Sequence, residues 1–86
     1  MWVQKREHKA VGAVLAHARA EAGLTQKELA SLLRKPQSFV SSYESGQRRI
    51  DVLELVRITD ALGADAREVL GEILTSTRVG GKPRHR

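Results

Sequence analysis

Leu24-Thr25-Gln26-Lys27-Glu28-Leu29-Ala30-Ser31-Leu32-Leu33, then Arg34-Lys35-Pro36, then Gln37-Ser38-Phe39-Val40-Ser41-Ser42-Tyr43-Glu44-Ser45-Gly46: the run of residues 24–46 decides the fold. Thr25 and Glu28 have the spacing of a capping box, in which each side chain satisfies an orphan backbone amide of the other residue. The helix they open should reach about residue 33 and bury Leu29, Ala30 and Leu33. Proline is excluded from a helix interior and biases the residue before it, Lys35, away from helical angles. It can nevertheless open a helix, because the N–H it lacks would be unpaired there. A second short helix is therefore expected from about residue 36 to residues 45–46. Two short helices joined by so tight a turn form a helix-turn-helix hairpin, with the small Ala30 where they approach. Val40 and Tyr43, three apart, face inward. Gln37, Ser38, Ser41 and Ser42 are left on an outward face that offers hydrogen bonds and carries no charge. A solvated helix face usually carries Lys and Glu. The strip reads either as a contact surface or as a plain polar helix face.

The flanking segments repeat the same grammar. Before the hairpin, Val11, Val14, Leu15, Ala18 and Ala22 recur at spacings of three and four, predicting a helix over about residues 8–22 that Gly23 stops. After it, Asp51 and Glu54 repeat the cap-and-carboxylate start, and Val52, Leu55, Ile58 and Leu62 form an inward stripe before Gly63. Asp65-Ala66-Arg67-Glu68 opens a fifth helix carrying Val69, Leu70, Ile73 and Leu74. No segment alternates like a strand. The expectation is an all-α, five-helix domain over residues 8–74. Residues 75–86, with Gly80, Gly81 and Pro83, read as a basic tail, mostly mobile.

A chain of 86 residues holds one domain. With no cysteine, disulfides and thiolate metal sites are excluded. No apolar run approaches the roughly 20 residues of a membrane span, and Met1-Trp2-Val3-Gln4-Lys5-Arg6 lacks the apolar block of a signal peptide. A cytoplasmic protein is the default expectation. The net charge of +5 is unevenly spread. Residues 1–25 carry +2 and residues 26–49 carry +3, from Lys27, Arg34, Lys35, Arg48 and Arg49 against Glu28 and Glu44. Residues 50–74 carry −4, and the tail carries +4 from Arg78, Lys82, Arg84 and Arg86. Such polarity orients a domain in the field of a polyanion as well as attracting it.

Residues 24–30, 37–41, Tyr43-Glu44-Ser45-Gly46 and Arg48-Arg49, together with the later Ala61-Leu62-Gly63, resemble the Cro and phage-repressor helix-turn-helix family, also called the xenobiotic-response-element family. The resemblance spans about residues 8–74. Two positions depart from the pattern: Arg34 stands where glycine is common, and Lys35 where an aliphatic residue is frequent. A non-glycine residue in a left-handed conformation costs on the order of 1 kcal/mol, which puts the local turn geometry in question but not the fold.

The resemblance implies a transcriptional regulator, most often a repressor that occludes a promoter, and the residues supply its contacts. Gln37, at the tip of the recognition helix, has the amide needed for a bidentate pair with adenine in the major groove. Ser38, Ser41 and Ser42 are short and specify weakly. Phe39 has two available roles, touching a thymine methyl or packing into the domain. Gln26 and Lys27 lie where free amides and the positive end of the helix dipole favour a phosphate, although glutamine is also an ordinary helix starter. Gln47, Arg48 and Arg49 follow the helix as a backbone clamp or as a solvated loop. Leu53 points away from the inward stripe of its helix, and Val69, Leu70, Ile73 and Leu74 make a stripe too wide for one core contact. These five residues predict a two-fold homodimer on a palindromic double-stranded DNA operator.

Catalysis has no foothold. His8 and His17 are nine residues apart, half a turn out of phase, and share no metal-binding face. The carboxylates Glu28, Glu54 and Glu68 belong to helix starts, and no cofactor motif is present. The alternative to a regulator is a protein-interaction module, such as the DNA-binding antitoxin of a toxin–antitoxin pair, whose tail wraps a partner protein. Val79 is the only apolar anchor in that tail.

Overall fold

A computed structural model describes residues 5–77, and the regular secondary structure among them is all helix: α1 (Lys5–Glu21), α2 (Gln26–Leu33), α3 (Gln37–Glu44), α4 (Val52–Leu62) and α5 (Ala66–Ser76). The helix starts are made by short-range chemistry. Thr25 Oγ1 accepts the Glu28 amide at 3.0 Å while Glu28 Oε1 accepts the Thr25 amide at 2.9 Å. Asp51 and Glu54 make the same reciprocal pair at 2.7 and 3.0 Å. Asp65 caps α5 through the Arg67 amide at 2.8 Å, without a reciprocal bond from Glu68.

Three boundaries differ from the sequence expectation. Helix α1 begins at Lys5 rather than near residue 8, because its first turn is polar and leaves no apolar signal. Pro36 is the residue before α3 and not its first member, with extended angles of φ −68° and ψ 156°. Helix α5 runs through Thr75 and Ser76, two residues into the stretch read as tail. The remainder of that tail, including Val79, lies outside the described residues.

The core collects one face from every helix: Val14 and Leu15, Leu29 and Ala30, Val40 and Tyr43, Ile58, Val69 and Ile73. Helix α2 packs on α3, α1 on both α3 and α5, and α4 on α2 and α5. Val52, expected to point inward, is exposed, since it is the first residue of α4 and precedes the turn that meets the core. Thr59 is buried but satisfied, its hydroxyl donating to the carbonyls of Leu55 and Val56, both at 3.0 Å.

Tyr43 is the largest fully buried side chain, and its hydroxyl has no hydrogen-bond partner within the described residues. Burial pushes its pKa up, so the phenol is neutral. An unsatisfied buried hydroxyl costs about 1–3 kcal/mol. Tyr43→Phe is therefore expected to leave stability unchanged or raise it by about 1 kcal/mol, read as the urea midpoint. A clear loss would show that the hydroxyl is bonded in solution.

Candidate nucleic-acid interface

The turn between α2 and α3 takes the shape that a glycine would give it. Arg34 adopts φ 57° and ψ 44°, the only positive φ outside glycine among the described residues. The amides of Arg34 and Lys35 then return to the carbonyls of Ser31 and Ala30 at 3.1 and 3.0 Å. This pair of bonds ends a helix in the Schellman manner, satisfying carbonyls that would otherwise be orphaned. The arginine thus accepts the left-handed strain, and the hairpin geometry is retained.

Four side chains, far apart in sequence, form one polar chain behind the tip of α3. Arg19 on α1 makes a two-pronged pair with Glu44, Nε to Oε2 at 2.7 Å and the second prong to Oε1 at 3.1 Å. That hydrogen-bonded carboxylate raises the Arg19 pKa further above its ordinary value. Glu44 Oε1 also accepts the Gln26 amide at 2.8 Å, and Gln26 Oε1 in turn accepts a long bond from Gln37 Nε2 at 3.4 Å. Gln26 and Gln37 were separate candidates in the sequence. Folding brings them together and anchors both to a shielded ion pair.

The remaining outward residues of α3 are as the helical period implies. Ser38 is exposed, while Ser41 and Ser42 are half-exposed. The Ser41 hydroxyl donates back to the Ser38 carbonyl at 3.3 Å. Of Phe39's two roles, the structure adopts packing. Its ring is half-buried against the core, 5.4 Å and edge-on to Tyr43, with Lys35 Nζ 5.5 Å and the Arg48 guanidinium carbon 4.7 Å from its centroid. The geometry supports the packing role, and part of the ring still reaches the surface.

The loop after α3 is less uniform than a clamp of equal residues. Gln47 and Arg49 are exposed, as is Lys27 at the start of α2. Arg48 instead donates to both Glu54 oxygens, at 3.0 and 2.9 Å, and to the Arg49 carbonyl at 2.8 Å. The hydrogen bond from Arg48, followed by that from the Asp51 amide, holds the Glu54 carboxyl below its usual range. On α4 and α5, the five residues expected at a dimer interface divide. Leu53, Leu70 and Leu74 are 65%, 45% and 63% exposed, whereas Val69 and Ile73 belong to the core of the chain itself. The wide stripe of α5 is thus two stripes: Val69 and Ile73 four apart face inward, Leu70 and Leu74 face out.

No group of three or more His, Cys, Asp or Glu among the described residues is placed to hold a metal. No helix among them is long and apolar enough to cross a membrane.

A helix-turn-helix family model matches residues 15–69. An uncharacterized HTH-type transcriptional regulator of Sinorhizobium fredii, y4dJ, is 37% identical over 62 residues, covering 72% of this chain and 80% of that protein. The crystal structure of the clp gene regulator ClgR from Corynebacterium glutamicum superposes with a TM-score of 0.76 at 34% identity, covering 83% of this chain and 91% of the other. An XRE-family-like protein from Pseudomonas syringae pv. tomato gives 0.73 at 40% identity, with 84% and 88% covered.

Proposed function

Because this chain belongs to the helix-turn-helix family of DNA-binding transcriptional regulators, we propose that it represses transcription by binding a specific palindromic operator as a homodimer, with α3 in the major groove. The observation that carries this reading is the pose of Gln37. A glutamine amide has two N–H donors and a carbonyl acceptor. One donor is directed to Gln26, and the second donor and the carbonyl oxygen make no bond among the described residues at the exposed tip of α3. Adenine presents the complement of that pair, the N7 acceptor and N6 donor, in the major groove. Ser38, Ser41 and Ser42 line the same face and add weaker contacts. Gln26, Lys27, Gln47 and Arg49 are assigned to phosphates, setting register without reading sequence.

Selecting bound duplexes from a random pool yields the operator and tests the reading directly. Gln37→Ala should then lose about 1–3 kcal/mol at one base pair of each half-site, with binding to random DNA nearly unchanged. Stability should barely move, since the residue is exposed and both side chains are tolerated in helices. Uniform loss across all positions would make Gln37 a backbone contact, and no loss anywhere would move recognition to another surface.

The exposed apolar residues of α4 and α5 are assigned to the two-fold interface, with Leu53, Leu70 and Leu74 in contact and the buried Val69 and Ile73 supporting them from below. Two recognition helices so related read half-sites about 34 Å apart. Light scattering at tens of micromolar should give the mass of two chains, and Leu74→Glu should halve it without loss of helical signal. A one-chain mass for the unaltered protein, free and on DNA, would eliminate the dimer.

A further inference from the structure

Arg48 and Glu54 are each held by something besides the other. The Arg48 guanidinium lies 4.7 Å from the centre of the Phe39 ring, and one of its terminal nitrogens also donates to the Arg49 carbonyl. Glu54 is the reciprocal partner of Asp51 at the start of α4, so its carboxylate is fixed by a helix cap. Three of the five guanidinium N–H groups are consumed by Glu54 and the Arg49 carbonyl. The pair is reachable but not open: the Arg48 side chain is 42% exposed and that of Glu54 18%. Arg49, the next residue, is exposed, and its side chain has no partner among the described residues.

Counterion release on binding DNA follows the charge that a protein presents to phosphates. A guanidinium in two-pronged contact with a fixed carboxylate presents a dipole, and a phosphate held loosely nearby gains little from it. Only a phosphate docked close and in line reaches the two N–H groups left over. We propose that Glu54 is a specificity-determining residue: it cancels the charge of Arg48 toward loosely bound DNA and so widens the gap between operator and random sequence. This rests on the reading of α3 and the following loop as the DNA-facing surface. Asp51, Lys35 and Arg57 are charged groups near the pair, and none makes a two-pronged contact with it.

The test is a cycle of Arg48→Ala, Glu54→Gln and the double variant, titrated on the selected operator and on a random duplex over a range of salt. Glutamine also serves in a capping box, so Glu54→Gln keeps the α4 start, and melting curves check this. Glu54→Gln should steepen the salt dependence on random DNA by about 0.9, an eightfold or so change in affinity per tenfold change in salt, and should lower the operator-to-random ratio. Arg48→Ala should flatten the slope by a similar amount, and the double variant should return to the original slope. The proposal is overturned if Glu54→Gln leaves the slope unchanged and the double variant matches Arg48→Ala, because Arg48 would then already neutralise a phosphate. Arg49→Ala separates the two readings. If neither it nor Arg48→Ala alters the slope, the loop is not on DNA, and the assignment of the DNA-facing surface fails together with the proposal.

Discussion

Arg19→Ala is expected to cost about 3–5 kcal/mol of stability, because it strands one member of a shielded ion pair. The Glu44 side chain is only 6% exposed and that of Arg19 18%. Two guanidinium contacts hold the carboxylate, and a third arginine N–H satisfies the Leu24 carbonyl at 2.8 Å in the turn before α2. Without the arginine, the Gln26 amide is the only remaining side-chain donor to Glu44 among these contacts. A small domain has a total stability on the order of 5–15 kcal/mol, so a loss of this size approaches unfolding. The pair as such is a weaker source of stability than its breakage suggests, since desolvating two charges offsets much of their attraction. Arg19→Met combined with Glu44→Leu should therefore lose much less than the sum of the single changes. Urea titration of the unaltered protein, Arg19→Met, Glu44→Leu and the double variant supplies the cycle, with Arg19→Ala titrated beside them. A single-variant loss below about 1 kcal/mol, the range of exposed pairs, would mean that water reaches Glu44 in solution. If Gln37 reads a base as proposed, the change should also lower the operator-to-random ratio, because Glu44 accepts the Gln26 amide and Gln26 accepts that of Gln37.

Gly12→Ala is the second large effect, and its sign runs against helix propensity. In an exposed helix interior, alanine is favoured over glycine by about 1 kcal/mol. At Gly12, however, an added Cβ would collide with the carbonyl oxygens of Tyr43 and Glu44 and approach the Glu44 carbonyl carbon to 2.7 Å. Those atoms are backbone at the end of α3, so no side chain can rotate away, and α1 must shift bodily. Overpacking of this kind typically costs about 1–3 kcal/mol, and a backbone obstacle puts the net loss near the upper end. Gly71, in the middle of α5, provides the contrast. Nothing lies within 4 Å of its added Cβ, so Gly71→Ala should raise stability by up to about 1 kcal/mol. Thermal melts of the two variants should move in opposite directions. Movement of Gly12→Ala upward would show that α1 and α3 are not in close contact in solution.

The features legible in the sequence are those set by neighbours three or four residues away. Thr25 with Glu28 and Asp51 with Glu54 declare helix starts because both partners of each cap lie within one turn. The apolar stripes declare which faces meet, and with them the five helices and the hairpin of α2 and α3. The uncharged strip of Gln37, Ser38, Ser41 and Ser42 was visible for the same reason, since a helix places residues at those spacings on one side. The resemblance to a known family rests on this local pattern, and the family match agrees with it.

What the sequence did not contain was the pairing of groups distant along the chain. Arg19 and Glu44 are separated by 25 positions, and Gln26 and Glu44 by 18. No rule of spacing joins them until α1, α2 and α3 pack. Gly12 shows no sign of its role for the same reason: its constraint is the backbone of another helix, not its own neighbours. Phe39 and Arg48 carried two readings each in the sequence, and the tertiary structure filled their surroundings by placing the ring against Tyr43 and the guanidinium between Phe39 and Glu54. The apolar stripe of α5 was likewise a single stripe on paper. Docking on α1 and α4 divided it, burying Val69 and Ile73 and leaving Leu70 and Leu74 in solvent. Local chemistry determined the elements and the uncharged outward face of α3; packing alone decided which charges and apolar groups on that framework are already engaged, because engagement depends on distances that only a folded chain defines.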